Sequence, residues 1–161
     1  MHRVAQFIGH VTARVSPNEA ALAHTLLPGA ALPLFDGMPV ADRRHALDVV
    51  HRLLAAGIDD RDLLAAALLH DAAKGHRLRL WHRVAGVLME RFAPMLLRRL
   101  ASTDPAAGGY AWHLYLHHEI LSADAAGAAG LSPRAVAFIR GEVPDTDRAL
   151  WRAFHAADEE S

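Results

Sequence analysis

Apolar residues recur every three or four positions along most of this chain, the periodicity of amphipathic helices, and no stretch reads as a convincing strand. Breakers and capping residues divide the pattern. A first helix is expected over roughly 3–15. Ser16-Pro17-Asn18-Glu19 then reads as a cap and restart with proline in the first helical position, leading a second helix to about Leu27. Pro28-Gly29 and the prolines at 33 and 39 punctuate the chain before a longer helix over about 41–56 stops at Gly57, and Asp59-Asp60 caps the next. That helix, 61–73, is apolar nearly all round from Leu63 to Leu69, which predicts a central buried element delivering His70-Asp71 at its end. Further helices are expected over 78–101, broken or restarted at Pro94, over 110–126 after a loop through Asp104-Pro105 and Gly108-Gly109, from Ser132-Pro133 to about Arg140, and over 147–157. The pattern predicts an all-α protein.

Composition narrows the picture. At 161 residues and 52% hydrophobic the chain fits one domain with a sizeable core. Seventeen Lys and Arg against 18 Asp and Glu leave no basic footprint, so no nucleic-acid polymer is expected as a partner. There is no cysteine, hence no disulfide, and any metal must take nitrogen and oxygen ligands. The first residues lack a signal-like apolar run, and no later segment offers 18 uninterrupted apolar residues. A soluble cytoplasmic protein with no membrane partner is expected. Oligomeric state is not readable.

Twelve histidines are the compositional outlier. His70-Asp71 sets two hard-metal ligands side by side after a buried helix. A helix end can carry such a pair in solvent, but burial would demand a partner or a cation. His45 lies on a separate helix whose apolar face includes Leu47, Val50 and Leu54, and Asp158 lies on a mostly apolar final helix. Together they offer a four-ligand set of His45, His70, Asp71 and Asp158.

In that order and spacing these residues resemble the H…HD…D signature of HD-superfamily metal-dependent phosphohydrolases, over most of the chain from Asp42 to Asp158, and above all the small stand-alone bacterial HD proteins. The resemblance implies a single HD domain over 1–161, folded as a compact helical bundle, with accessory helices in 1–40 packed on a metal-binding core in 41–161. It also implies a second metal: two-metal HD proteins use additional histidines between the HD pair and the final aspartate, and His82, His117 and His118 resemble those positions. His113 is a weaker candidate. If the second site exists, Asp71 is the natural bridge. After Glu119 the chain reads Ile120-Leu121-Ser122-Ala123 where the HD-GYP type has a glycine-rich motif, so cyclic dinucleotide hydrolysis is not carried over. His2, His10, His24, His51, His76 and His155 read as helix-surface residues.

A small phosphorylated, nucleotide-like substrate and one or two divalent cations (Mn, Fe, Ni, Co or Mg) follow as expectations, with metal-activated water as the nucleophile. Asp71 and Lys74 are the expected catalytic residues, Lys74 neutralising phosphoryl charge as the lysine resembling it does in HD domains. Arg43 and Arg44 could hold the phosphate through their planar forks. Glu119 could orient a histidine, and Trp81, Trp112, Tyr110 and Tyr115 are assigned to packing. Two other readings stand beside this one. The histidine-rich second site could hold two irons for oxygen chemistry, or the domain could bind a nucleotide without turnover. The segment Ile139-Arg140-Gly141-Glu142-Val143-Pro144, which departs from the basic or His-bearing continuation of related proteins, fits the latter.

Overall fold

Ser16 starts the first helix by a reciprocal cap: its hydroxyl accepts from the Glu19 N–H at 3.3 Å, and the Glu19 carboxylate accepts from the Ser16 N–H at 2.9 Å. The computed structural model describes residues 14–161, so the helix expected over 3–15 lies outside the described residues except for Arg14 and Val15, which are not helical. Helix α1 spans Pro17–Leu26. The proline-punctuated stretch behind it holds a 3-10 turn, Gly29–Ala31, and a short helix α2, Leu32–Asp36, because Pro33 falls in a first turn where its missing N–H costs nothing. Helix α3, Val40–Ala55, is followed by Gly57 in the left-handed region at φ +78°, and Asp60 caps α4, Arg61–Leu69, by accepting from the Leu63 N–H at 3.0 Å.

Helix α4 stops earlier than its apolar pattern. The chain turns at His70 and Asp71 and continues as a 3-10 turn, Ala72–Lys74. Pro94 divides the next region into α5, Leu80–Phe92, and α6, Pro94–Leu100. Helix α7, Tyr110–Ala128, carries the histidine-rich stretch. Helix α8, Pro133–Arg140, is capped by Ser132 and followed by Gly141 at φ +70°, and a 3-10 turn, Asp145–Asp147, leads into α9, Arg148–Glu159. Among the described residues there is no strand, and the fold is all-α.

Every residue of α4 from Leu63 to Leu69 is buried, and α1, α3, α8 and α9 pack around it. The main apolar cluster joins Ala23, Phe35, Leu47, Leu63, Phe138 and Phe154; each large side chain so buried contributes ~1.5–3 kcal/mol. Arg134 on α8 bridges Asp60 at 2.7 Å and Asp147 at 2.8 Å, tying the start of α4 to the turn before α9. Helices α5 and α6 pack on each other and on α7. A buried ion pair, Arg83 to both carboxylate oxygens of Asp42 at 2.7 and 2.8 Å, links α5 to the first turn of α3. None of the described helices is long and apolar enough to cross a membrane.

Candidate metal centre

Three helices meet at the break after α4. His45 comes from the middle of α3, His70 from the end of α4, and Asp158 from the last turn of α9. His45 Nε2 lies 2.8 Å from Asp158 Oδ1, and His70 Nε2 lies 3.2 Å from the same oxygen. One ligand atom from each falls within 4.8 Å of the other two. The His45 and His70 rings are 5.5 Å apart and tilted at 59°, and Phe154 meets the His70 ring edge-on at 5.5 Å. Asp71, 3% exposed, joins from the side: its Oδ1 lies 3.6 Å from His70 Nε2 and 3.8 Å from His118 Nε2, while its Oδ2 accepts from Lys74 at 2.6 Å.

The ring orientations are fixed by backbone. His70 Nδ1 donates to the Ala67 carbonyl at 2.9 Å and His118 Nδ1 to the Tyr115 carbonyl at 3.0 Å, so in both the Nε2 edge faces the acidic cluster. His70 Nε2 is buried, and although Asp158 is near, the pair lacks hydrogen-bond geometry. An orphaned ring nitrogen with its other nitrogen tied to a carbonyl is the arrangement a ligand histidine needs. Two imidazoles and two carboxylates, all hard or borderline donors, fit a divalent cation. The site could hold one with His45, His70 and Asp158, with Asp71 beside them.

Charge in the cluster is strongly coupled. Burial disfavours the His70 imidazolium, but Asp71 and Asp158 outweigh it and push the ring up to about 9. Burial acts against the Asp71 and Asp158 carboxylates too, and their neighbours overcome it: the charges of His70 and Lys74 hold Asp71, and the hydrogen bond from His45, the close approach of His70 and the charge of both hold Asp158, both carboxylates well below the ordinary range. His118 is held below the usual histidine value by burial and by Lys74, only partly offset by Asp71, so its ring is neutral near pH 7.

Of the residues singled out in the sequence, His45, His70, Asp71, Lys74, His118 and Asp158 come together. Others do not. His82 is buried but stacks on Trp81 with ring centres 3.6 Å apart and meets Trp112 edge-on at 5.1 Å, and its Nδ1 accepts from the Arg79 N–H, capping α5. Burial and Arg79 lower its pKa. His117 is exposed and sits against His113 at 4.7 Å. A helix turns ~100° per residue, so with His118 facing Asp71 its neighbour must face elsewhere. Among the described residues no second cluster of three ligand atoms forms.

Arg44 is engaged by the Glu19 carboxylate and by Asp48 at 2.9 Å, and Arg43 has no ion pair among the described residues. Two contributors escaped the sequence reading. Ser122, fully buried in α7, accepts from the Ala73 N–H at 3.0 Å and so holds the turn that carries Lys74. Arg52, on the His45 face of α3, donates to the Glu160 carbonyl at 2.7 Å and pins the end of α9 beside Asp158. A helical serine and a helical arginine carry no local signal for either role. No known family model, curated protein or solved structure matches this chain.

Proposed function

We propose that this protein is a metal-dependent phosphohydrolase of the HD type, cleaving a phosphate ester of a small nucleotide-like substrate. The observation that carries the reading is the meeting of His45, His70 and Asp158 from three separate helices, with the buried His70 Nε2 lacking a hydrogen bond. A divalent cation held there would supply the positive charge that lets water deprotonate near neutral pH. His118, neutral and directed at Asp71, is placed to take a proton or to ligate. Lys74 offers a phosphoryl oxygen a positive charge at the edge of the cluster. A cysteine-free donor set and the lack of a crossing helix among the described residues are in keeping with a cytoplasmic setting.

The di-iron reading leaned on a second site of His82, His117 and His118; of these only His118 faces Asp71, and no second cluster of three ligand atoms supports it among the described residues. The test of the hydrolase reading is phosphate release from a broad nucleotide panel with Mn²⁺, Fe²⁺, Co²⁺, Ni²⁺ or Mg²⁺. We expect turnover that disappears, together with retained metal, in His70→Ala and Asp158→Asn. Tight metal binding without phosphate release under any of these conditions would overturn hydrolysis in favour of a binding module.

A further inference from the structure

The 77–100 segment holds six arginines and one glutamate in a chain whose net charge is −1. It is also where the apolar surface is concentrated. On α5 the buried residues His82 and Gly86 share one side, and Trp81 (55% exposed), Val84, Leu88 and Phe92 (79% exposed) project from the other. On α6 only Leu97 is buried, and Met95 (77% exposed) and Leu96 face out. Trp81 and Phe92 are aromatic side chains of ~150–250 Å² each, and with four other apolar side chains half-exposed or more beside them the uncovered area reaches several hundred Å², comparable with the largest patch of an ordinary monomer, roughly 300–600 Å². The two most exposed side chains, Phe92 and Met95, flank the Ala93-Pro94 corner, so the apolar surface ends in a protruding tip.

Arginines share this face. Arg83 is turned inward to Asp42, whereas Arg79, Arg91, Arg98 and Arg99 are exposed and have no ion pair among the described residues. A second copy docked face to face would set arginine against arginine with only Glu90 to offset them. The segment 1–13 contains Arg3 and no acidic residue, so it cannot neutralise them either. An apolar face ending in a protruding tip, with exposed arginines along it, fits an anionic bilayer, where the apolar side chains enter the acyl boundary and the guanidinium groups meet lipid phosphates.

We propose that the α5–α6 corner docks this protein on the surface of a membrane carrying anionic lipids. Docking of this kind needs no crossing helix, and the proposal is independent of whether the metal centre hydrolyses phosphate esters.

Flotation of the full chain with vesicles of phosphatidylcholine alone, or of phosphatidylcholine with phosphatidylglycerol, tests it. Binding to the anionic vesicles is expected to be at least about tenfold stronger and to weaken with salt. Arg98→Glu with Arg99→Glu should cut it about tenfold or more, and Phe92→Ser with Met95→Ser should abolish it while helicity and metal binding persist. Trp81 emission should shift to the blue with lipid, a change missing in Trp81→Phe. Failure to float with either vesicle would overturn the proposal, as would binding indifferent to lipid charge. So would Trp81 already shielded from iodide without lipid; sedimentation would then separate a self-associated face from one covered by the chain itself.

Discussion

Asp71 divides its two oxygens between two kinds of partner: Oδ2 takes the Lys74 ammonium at 2.6 Å, and Oδ1 faces the His70 and His118 imidazoles at 3.6 and 3.8 Å. The carboxylate is almost wholly buried, so its charge depends on these neighbours. Lys74→Met therefore destabilises the metal-free protein by about 3 kcal/mol, the cost of stranding one member of a buried pair. Asp71→Asn with Lys74→Met recovers most of that loss. Urea unfolding of the four proteins reads the coupling, and simply additive losses would show that the pair is not linked.

Metal-free stability should depend on pH in a defined way. His70 titrates at about 9 when folded against an ordinary 6.5, so its contribution is full below pH 6.5 and is lost as pH rises through 9. That is at most about 3 kcal/mol. Asp71 and Asp158 act oppositely: their folded values are depressed, so their contribution is present above about pH 4 and is lost as pH falls below it. Unfolding midpoints in EDTA should peak between pH 4 and 6.5. Under the proposed function, saturating Mn²⁺ reverses the alkaline decline, because the ligand nitrogen must be bare to bind. A flat profile in EDTA from pH 6.5 to 9.5 would contradict the His70 environment.

Ser122→Ala removes the acceptor of the Ala73 N–H inside the core and should cost about 1–2 kcal/mol. The signature is local. Hydrogen exchange at Ala73 rises more than at α3 amides, and turnover falls with it as the Lys74 turn loosens. Uniform exchange across the chain would mean that the hydroxyl does not specifically hold this turn.

Gly86 lies against the Tyr115 ring so closely that an added Cβ would overlap it, and burial, with Glu90 accepting from the hydroxyl, pushes the phenol up to about 12. Gly86→Ala should destabilise by about 1–3 kcal/mol through this clash, although alanine is the better helix former. Thermal unfolding checks the sign, and a stabilised variant would show that α5 can shift off α7.

Much of the fold is legible in the sequence because its signals are local. Ser16, Asp60 and Ser132 cap their own helices, and Gly57 and Gly141 follow theirs in the left-handed region. The end of α4 is not legible: Ala72 and Ala73 continue the apolar run, and a serine 49 residues away decides the turn. The same division holds at the site. His45, His70, Asp71 and Asp158 sit on apolar helices that must converge, whereas the choice between His117 and His118 depends on the rotation of α7 about its axis. His82 went to its neighbour Trp81 and to Trp112, and Arg44 to Glu19; the partners Trp112 and Glu19 come close only on folding.

Helix α3 meets α9 twice, through His45 to Asp158 and, two turns along, through Arg52 to Glu160. Two tethers define a line where one would leave a pivot. The last turn of α9, which carries the carboxylate, cannot slide along α3 without breaking both contacts, so less backbone disorder remains to be frozen when a ligand arrives, and affinity should come in part from pre-arrangement.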